Sequence, residues 1–137
     1  MDTGHWLINE NVYIFENMFG FIYEITNKVN GKKYIGKKQC SRRVKRKPLK
    51  GKTRNRIDHK ESDWKTYTSS SKELNEDIQK YGIENFEFRI IKVCGSKWEL
   101  GYEEIKEQIK REVILRDDYY NGVLNIRVGT PPKSLLK

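Results

Sequence analysis

The chain is short of the residues that staple or anchor proteins. Of its 137 residues only two are cysteine, two histidine and three proline. Cys40 and Cys94 stand far apart and make no disulfide framework. A structural zinc site would have to add carboxylates to them and to His5 and His59, which disfavours one. No apolar run approaches the ~20 residues that cross a bilayer, which excludes a transmembrane helix. The opening MDTGHWLINENVYIFEN is acidic and lacks a basic stretch followed by an apolar one, so it does not read as a signal peptide. These absences together predict a reducing cytoplasmic setting and no membrane partner. Apolar residues are also scarce, at 36% against 34% charged, so the core must be small and the length fits one domain.

What is abundant is positive charge, and it is concentrated. The formal net charge is +9, from 28 Lys and Arg against 19 Asp and Glu. Residues 37–60 (KKQCSRRVKRKPLKGKTRNRIDHK) hold twelve of those cations and one acid, a local +11 that leaves the rest of the chain at −2. A block this dense repels itself, and a polyanion is the physical reason to keep it: nucleic acid first, anionic lipid second. Lipid is the poorer fit, because Val44, Leu49 and Ile57 are the block's only aliphatics and form no amphipathic stripe.

The flanking segments read as an α+β domain. Phe19, Phe21, Tyr23 and Ile25 alternate with Gly20, Ile22, Glu24 and Thr26, the period of a strand. Asn30-Gly31 suits a type I′ hairpin turn, and Lys32 to Gly36 returns as the second strand. Pro48 and Gly51 limit any helix at 41–47 to a short one. Ser70-x-x-Glu73 reads as a capping box for a helix over 71–81, stopped by Gly82. A third strand is predicted over 85–94. Ser96-x-x-Glu99 opens a longer helix to about Leu115, with Trp98, Tyr102, Ile105, Ile109 and Val113 as its apolar stripe. A turn follows at 117–122, and 123–128 has the makings of a short strand. The expected architecture is a small three-stranded antiparallel sheet flanked by helices: an extension over 1–18, the domain over 19–128 with the basic insertion at 37–60, and a tail over 129–137.

Phe21-Ile22-Tyr23 and Tyr34-Ile35-Gly36 sit on the two hairpin strands with their tyrosines eleven residues apart. This pair resembles the signature of the GIY-YIG nucleases, with Phe21 at the position of the first glycine. Further landmarks fall in that family's order: arginines Arg42, Arg43 and Arg46 after the second tyrosine, the segment Ser69 to Phe86, Glu104 early in the next helix, and Asn121 or Asn125 beyond it. The resemblance covers residues 19 to about 128. It implies a single-metal DNA endonuclease of the phage, homing or restriction-like type, acting in the host cytoplasm if phage-encoded, on double-stranded DNA with Mg2+ or Mn2+. A homodimer or two encounters would be needed to cut both strands.

By the same resemblance Tyr23 and Tyr34 stand near the attacking water, Arg43 on the phosphate, Glu104 on the metal, and Asn121 supports the site. Position counting favours Arg43 over Arg42 only slightly. Glu104 lies about 140° from the expected apolar stripe, but Glu103 and Glu107 lie about 120° and 160° away, so amphipathicity does not choose among them. A tyrosine, with an ordinary pKa of about 10, becomes a useful base only where cations favour phenolate, a part open to Lys32, Lys33 and Lys37. Where many members place a histidine before the middle helix, Ser69 stands here with Tyr67 nearby. Lys37, Lys38, Arg42, Lys45, Arg46, Lys47, Lys50, Lys52, Arg54, Arg56 and His59 are the expected DNA-facing side chains. The rival reading is a non-catalytic basic nucleic-acid-binding module, for which the tyrosine pair and Glu104 are coincidence.

Overall fold

A computed structural model describes residues 2–14, 17–124 and 128–137, with the backbone alone for Arg43 and Val44. Among these residues two α-helices pack on a four-stranded mixed sheet, and a separate two-stranded ribbon projects from it. The strands are β1 (Trp6–Ile8), β2 (Gly20–Asn27), β3 (Lys33–Gln39), β4 (Ser41–Arg46), β5 (Arg56–Glu61) and β6 (Phe86–Cys94). The helices are α1 (Lys72–Tyr81) and α2 (Lys97–Lys110). Among the described residues, no helix is long and apolar enough to cross a membrane.

The main sheet runs β1-β6-β2-β3, with β1 parallel to β6 and the other neighbours antiparallel. This corrects the expected three-stranded antiparallel sheet. The fourth strand comes from the segment read as an N-terminal extension, where a three-residue strand is too short to show a period. It is no appendage: Trp6 is buried, and its ring lies 5.1 Å from Phe21 and from Tyr23 and 5.6 Å from Phe88. That aromatic nest explains how Phe21 occupies a position where the resembling family has glycine. The ring fills the space between Trp6 and Trp64, whose centroid is 5.8 Å away.

The β2–β3 hairpin has the predicted strands but a longer turn. Gly31 donates to Asn27 O and Asn27 to Lys32 O, closing a loop over 28–31 in which only Gly31 takes positive φ. The Asn27 and Asn30 side chains accept from Val29 N and Lys32 N, so local Asx bonding replaces the type I′ geometry. A β-bulge sets Tyr23 opposite Ile90 while Ile22 faces Lys92, leaving Ile91 unpaired. The alternation therefore changes phase there: Phe86, Phe88, Ile90 and Val93 pack on one face of the sheet, Ile91 and Cys94 on the other.

Both helices begin on serine caps. Ser71 rather than Ser70 caps α1, accepting from Leu74 N, while Ser96 caps α2 and accepts from Glu99 N. The second helix ends five residues before the expected Leu115, because Glu112 adopts a left-handed conformation. Its buried face is also rotated from the expected stripe. Leu100, Ile105 and Gln108 face inward, while Tyr102 and Ile109 are exposed. The inward positions are partly polar because they serve the backbone of β3 and the cleft beside it. No strand forms at 123–124, and 125–127, including Asn125, lie outside the described residues. Cys40 and Cys94 are free and buried in different clusters, their thiols pushed up to about 12 by burial.

Candidate active-site cleft at the tyrosine hairpin

An open cleft of about 440 Å³ lies where β2, β3 and α2 meet, lined by Tyr23, Tyr34, Lys37, Tyr67, Ser70, Glu104, Gln108 and Asn121 among others. Residues from five separate stretches of sequence thus converge on one concavity. Tyr23 and Tyr34 stack with ring centroids 6.1 Å apart, and Tyr67 meets Tyr23 edge-on at 6.2 Å. Gly36 is what lets the tyrosines approach. A Cβ there would strike the Tyr23 hydroxyl, sit 2.6 Å from Tyr23 Cζ and lie 2.9 Å from Tyr34 Cε1. The glycine of the second tripeptide is thus a steric requirement of the pair.

Asn121 and Gln108 hold the strand that carries Tyr34. Ile35 N donates to Asn121 Oδ1 at 3.1 Å, and Asn121 Nδ2 donates back to Ile35 O at 2.8 Å. The side-chain amide replaces a neighbouring strand at the open edge of β3. Gln108 Nε2 adds a bond to the same carbonyl at 3.0 Å. Tyr120 N donates to Lys33 O and Lys33 N to Asp118 O, continuing the pseudo-strand along the edge. The 117–122 turn was legible as a turn; its service as a sheet edge was not, because that depends on where the chain returns.

Glu104 projects from the inward face of α2, its side chain only 13% exposed, with Lys37 Nζ at 4.0 Å. Burial raises its carboxyl above the ordinary value, and Lys37 opposes the shift. Glu103 instead pairs with Lys92 at 3.0 Å and Glu107 with Arg111 at 2.7 Å, both outside the cleft. Packing therefore separates three acids that distance from the apolar stripe does not.

The tyrosines differ from the electrostatic expectation. Burial raises Tyr23 well above 10, with Tyr34, Tyr67 and Glu104 adding to the effect. Tyr34 is raised as well, by burial and then Glu104, against a hydrogen bond from Ser70. The lysines expected to favour phenolate are engaged with acids: Lys32 with Glu73, Lys33 with Glu24, Lys37 with Glu104. Both tyrosines are neutral hydroxyls here.

The hydroxyl supplied by the segment before α1 is that of Ser70, not Ser69. Ser69 is buried at φ +80 and its Oγ accepts from Ser71 N, while Ser70 lines the cleft together with Tyr34. Tyr67 is named by the sequence as the neighbour of Ser69, whereas Ser70 and Gln108 are not among the expected site residues. Only Gln108 left a usable signal, four residues after Glu104 and on the same helical face.

The basic insertion forms the β4–β5 ribbon where at most a short helix was expected. Arg43 stands opposite His59 in its ladder, and nothing is described of the Arg43 side chain. Arg42 and His59 line a second, wider groove of about 1000 Å³ at the ribbon's root, with Lys38, Glu61, Asp63 and Lys97. Lys38 bonds Asp63 at 2.8 Å and lies 4.2 Å over the Tyr67 ring, tying the groove to the cleft. Lys45, Lys47, Lys50, Lys52, Arg54 and Arg56 are exposed along the ribbon and its loop, and Arg46 pairs with Asp58 at 3.4 Å.

Among the described residues, no group of three or more His, Cys, Asp or Glu is placed to hold a metal. A hard divalent cation needs only one carboxylate when water and phosphate complete its shell, and Glu104, desolvated in a polar cleft, is a donor of that kind.

A family model described as "Putative endonuclease segE, GIY-YIG domain" matches residues 6–124. Two curated proteins of Enterobacteria phage T4 are similar. "Putative endonuclease segE" is 34% identical over 105 residues, 76% of this chain and 40% of that protein. "Putative endonuclease segD" is 30% identical over 110 residues, 80% of this chain and 40% of that protein. The chain spans about two fifths of the length of these relatives. No solved structure matches significantly.

Proposed function

Because the chain belongs to the GIY-YIG endonuclease family, we propose that it hydrolyses phosphodiester bonds of double-stranded DNA at the Tyr23–Tyr34–Glu104 cleft. The observation that carries the reading is convergence: two tyrosines, one desolvated carboxylate and an amide-braced strand share a cavity whose Lys37 stands four residues before the root of a strongly basic ribbon. A non-catalytic binding module has no use for a largely buried carboxylate that burial penalises.

In this reading water attacks phosphorus, the bond to the 3′ oxygen breaks, and the chain ends carry a 5′ phosphate and a 3′ hydroxyl. Glu104 is the proposed ligand of Mg2+ or Mn2+, which would supply positive charge against the charge that builds on phosphorus. As neutral hydroxyls, Tyr34 and Ser70 position the water or a phosphate oxygen by hydrogen bonding, and Tyr23 fixes the Tyr34 ring by stacking. Arg43 is the proposed phosphate clamp by its place after the second tyrosine. Lys37 neutralises Glu104 until substrate enters, and then stands close to the phosphate. Asn121 and Gln108 are positioning residues acting through Ile35.

Supercoiled plasmid incubated with Mg2+ tests this. One cleft cuts one strand per encounter, so nicked circles should precede linear DNA. Glu104→Ala should abolish nicking while duplex binding persists. Nicking at the wild-type rate in that variant removes Glu104 from the chemistry, and binding by the wild type without cleavage in Mg2+ or Mn2+ overturns the nuclease reading.

A further inference from the structure

The ribbon is an unusual object on a domain of this size. β4 and β5 pair only with each other, in an unbroken six-pair register from Ser41↔Glu61 to Arg46↔Arg56. Every residue of β5 is exposed, as are Arg42 and Lys45 on β4. An isolated two-stranded hairpin is marginal in water, so an ordered one without a supporting layer gives up stability. Neutralising phosphates does not require this, since a disordered basic arm delivers the same charge. Two exposed aliphatics are equally out of place in a device for gripping backbone. Leu49, in the loop, is 53% exposed and Ile57, on β5, is 51% exposed.

Shape explains both features. Two strands about 4.8 Å apart, with side chains on either face, match a major groove about 12 Å wide and not a minor groove about 6 Å wide. Six residues at about 3.3 Å each make a ribbon ~20 Å long, the length of about six base pairs. Charged tips suit the phosphates on both walls, and apolar side chains suit the thymine methyls on the floor. The root is also in the right place. Lys37, on the cleft, and Ser41, the first ribbon residue, are separated by three positions of one chain, and Lys38, Arg42, His59 and Lys97 line the groove between the ribbon and the start of α2.

We propose that the β4–β5 ribbon enters the major groove of B-form DNA beside the scissile phosphate and contacts base edges there. This rests on the DNA reading of the cleft and adds how the duplex is held and where base preference arises. It also excludes RNA duplexes, whose major groove is too deep and narrow to admit a ribbon.

Dimethyl sulfate footprinting of the full chain on a duplex in EDTA tests this without cleavage. Guanine N7, in the major groove, should be protected over about six base pairs, while adenine N3 in the minor groove stays reactive. An RNA duplex of the same sequence should bind about tenfold more weakly or worse. Replacing residues 42–60 by Asn-Gly keeps only the Ser41↔Glu61 pair of the ribbon and should remove the N7 protection. If that variant fails to fold, Arg54→Gln with Arg56→Gln, both on exposed positions, should shrink it. Unprotected N7 under saturating protein, protected N3, or equal binding to RNA overturns the proposal. A chain that protects N7 yet never cuts in Mg2+ sinks the nuclease reading and leaves the groove contact standing.

Discussion

At Glu104 the proposed role and stability oppose each other. Its carboxyl is raised by burial more than Lys37 lowers it. A carboxyl whose pKa rises on folding lends the native state stability below its unfolded pKa, and that contribution is lost as the pH climbs through the folded value. Near neutrality the native protein therefore carries a charge that folding disfavours. Glu104→Gln keeps the shape and removes the charge. Without divalent ions it should melt at a higher temperature than the wild type at pH 7 and at the same temperature near pH 3.5, where both are neutral. Circular-dichroism melts at the two pH values decide it, and a lower melting temperature at pH 7 would make the Lys37 pair the larger effect. The identity of this glutamate was legible only through resemblance to a family pattern. Its two acidic neighbours lie about as far from the expected apolar stripe, at about 120° and 160° against about 140°, and what separates the three is which cation each meets in the folded protein.

On α2 the sequence misleads in an instructive way. Trp98, Tyr102, Ile105, Ile109 and Val113 make a regular apolar stripe, yet Leu100, Glu104 and Gln108, spaced by four, mark the face turned toward β3 and the cleft. Periodicity finds the apolar side of a helix, and a helix that lines a polar cleft does not have to turn that side inward. Trp98 and Tyr102 instead stack on each other at 4.9 Å, and the Trp98 indole donates to Gly129 O in the tail. The hairpin strands and β6 were readable because both of their faces are covered and local alternation suffices. β1 and the edge role of Asn121 were not, because each depends on a partner some eighty residues away in the chain. The two faces of α2 should then respond differently. Leu100→Ala opens a cavity against Gly20 and should cost about 2–5 kcal/mol in urea unfolding. Ile109→Ser, on an exposed position, should stay within about 0.5 kcal/mol. Equal losses would restore the stripe as the true core face.

At the scale of the molecule, charge and fold are separable. The main sheet and both helices belong to the part of the chain near −2, and the +11 block is carried by the end of β3 and the ribbon, which shares no sheet with the core. Core contacts at the ribbon's base come from Cys40 and Trp64, on either side of it. Replacing residues 45–57 by Asn-Gly leaves those two in place, keeps the four ladder pairs from Ser41↔Glu61 to Val44↔Asp58, and closes them with a favoured hairpin turn. The replacement removes seven Lys and Arg. Each cation that neutralises a phosphate contributes about 0.9 to the slope of log affinity against log salt on B-form DNA. Binding titrations from low to moderate salt should therefore give a weaker and markedly flatter dependence, while the thermal transition of the core persists. If the slope survives, the charge faces something other than the duplex. If the core transition is lost instead, the ribbon supports the fold, and its exposure has a structural rather than a recognition cause.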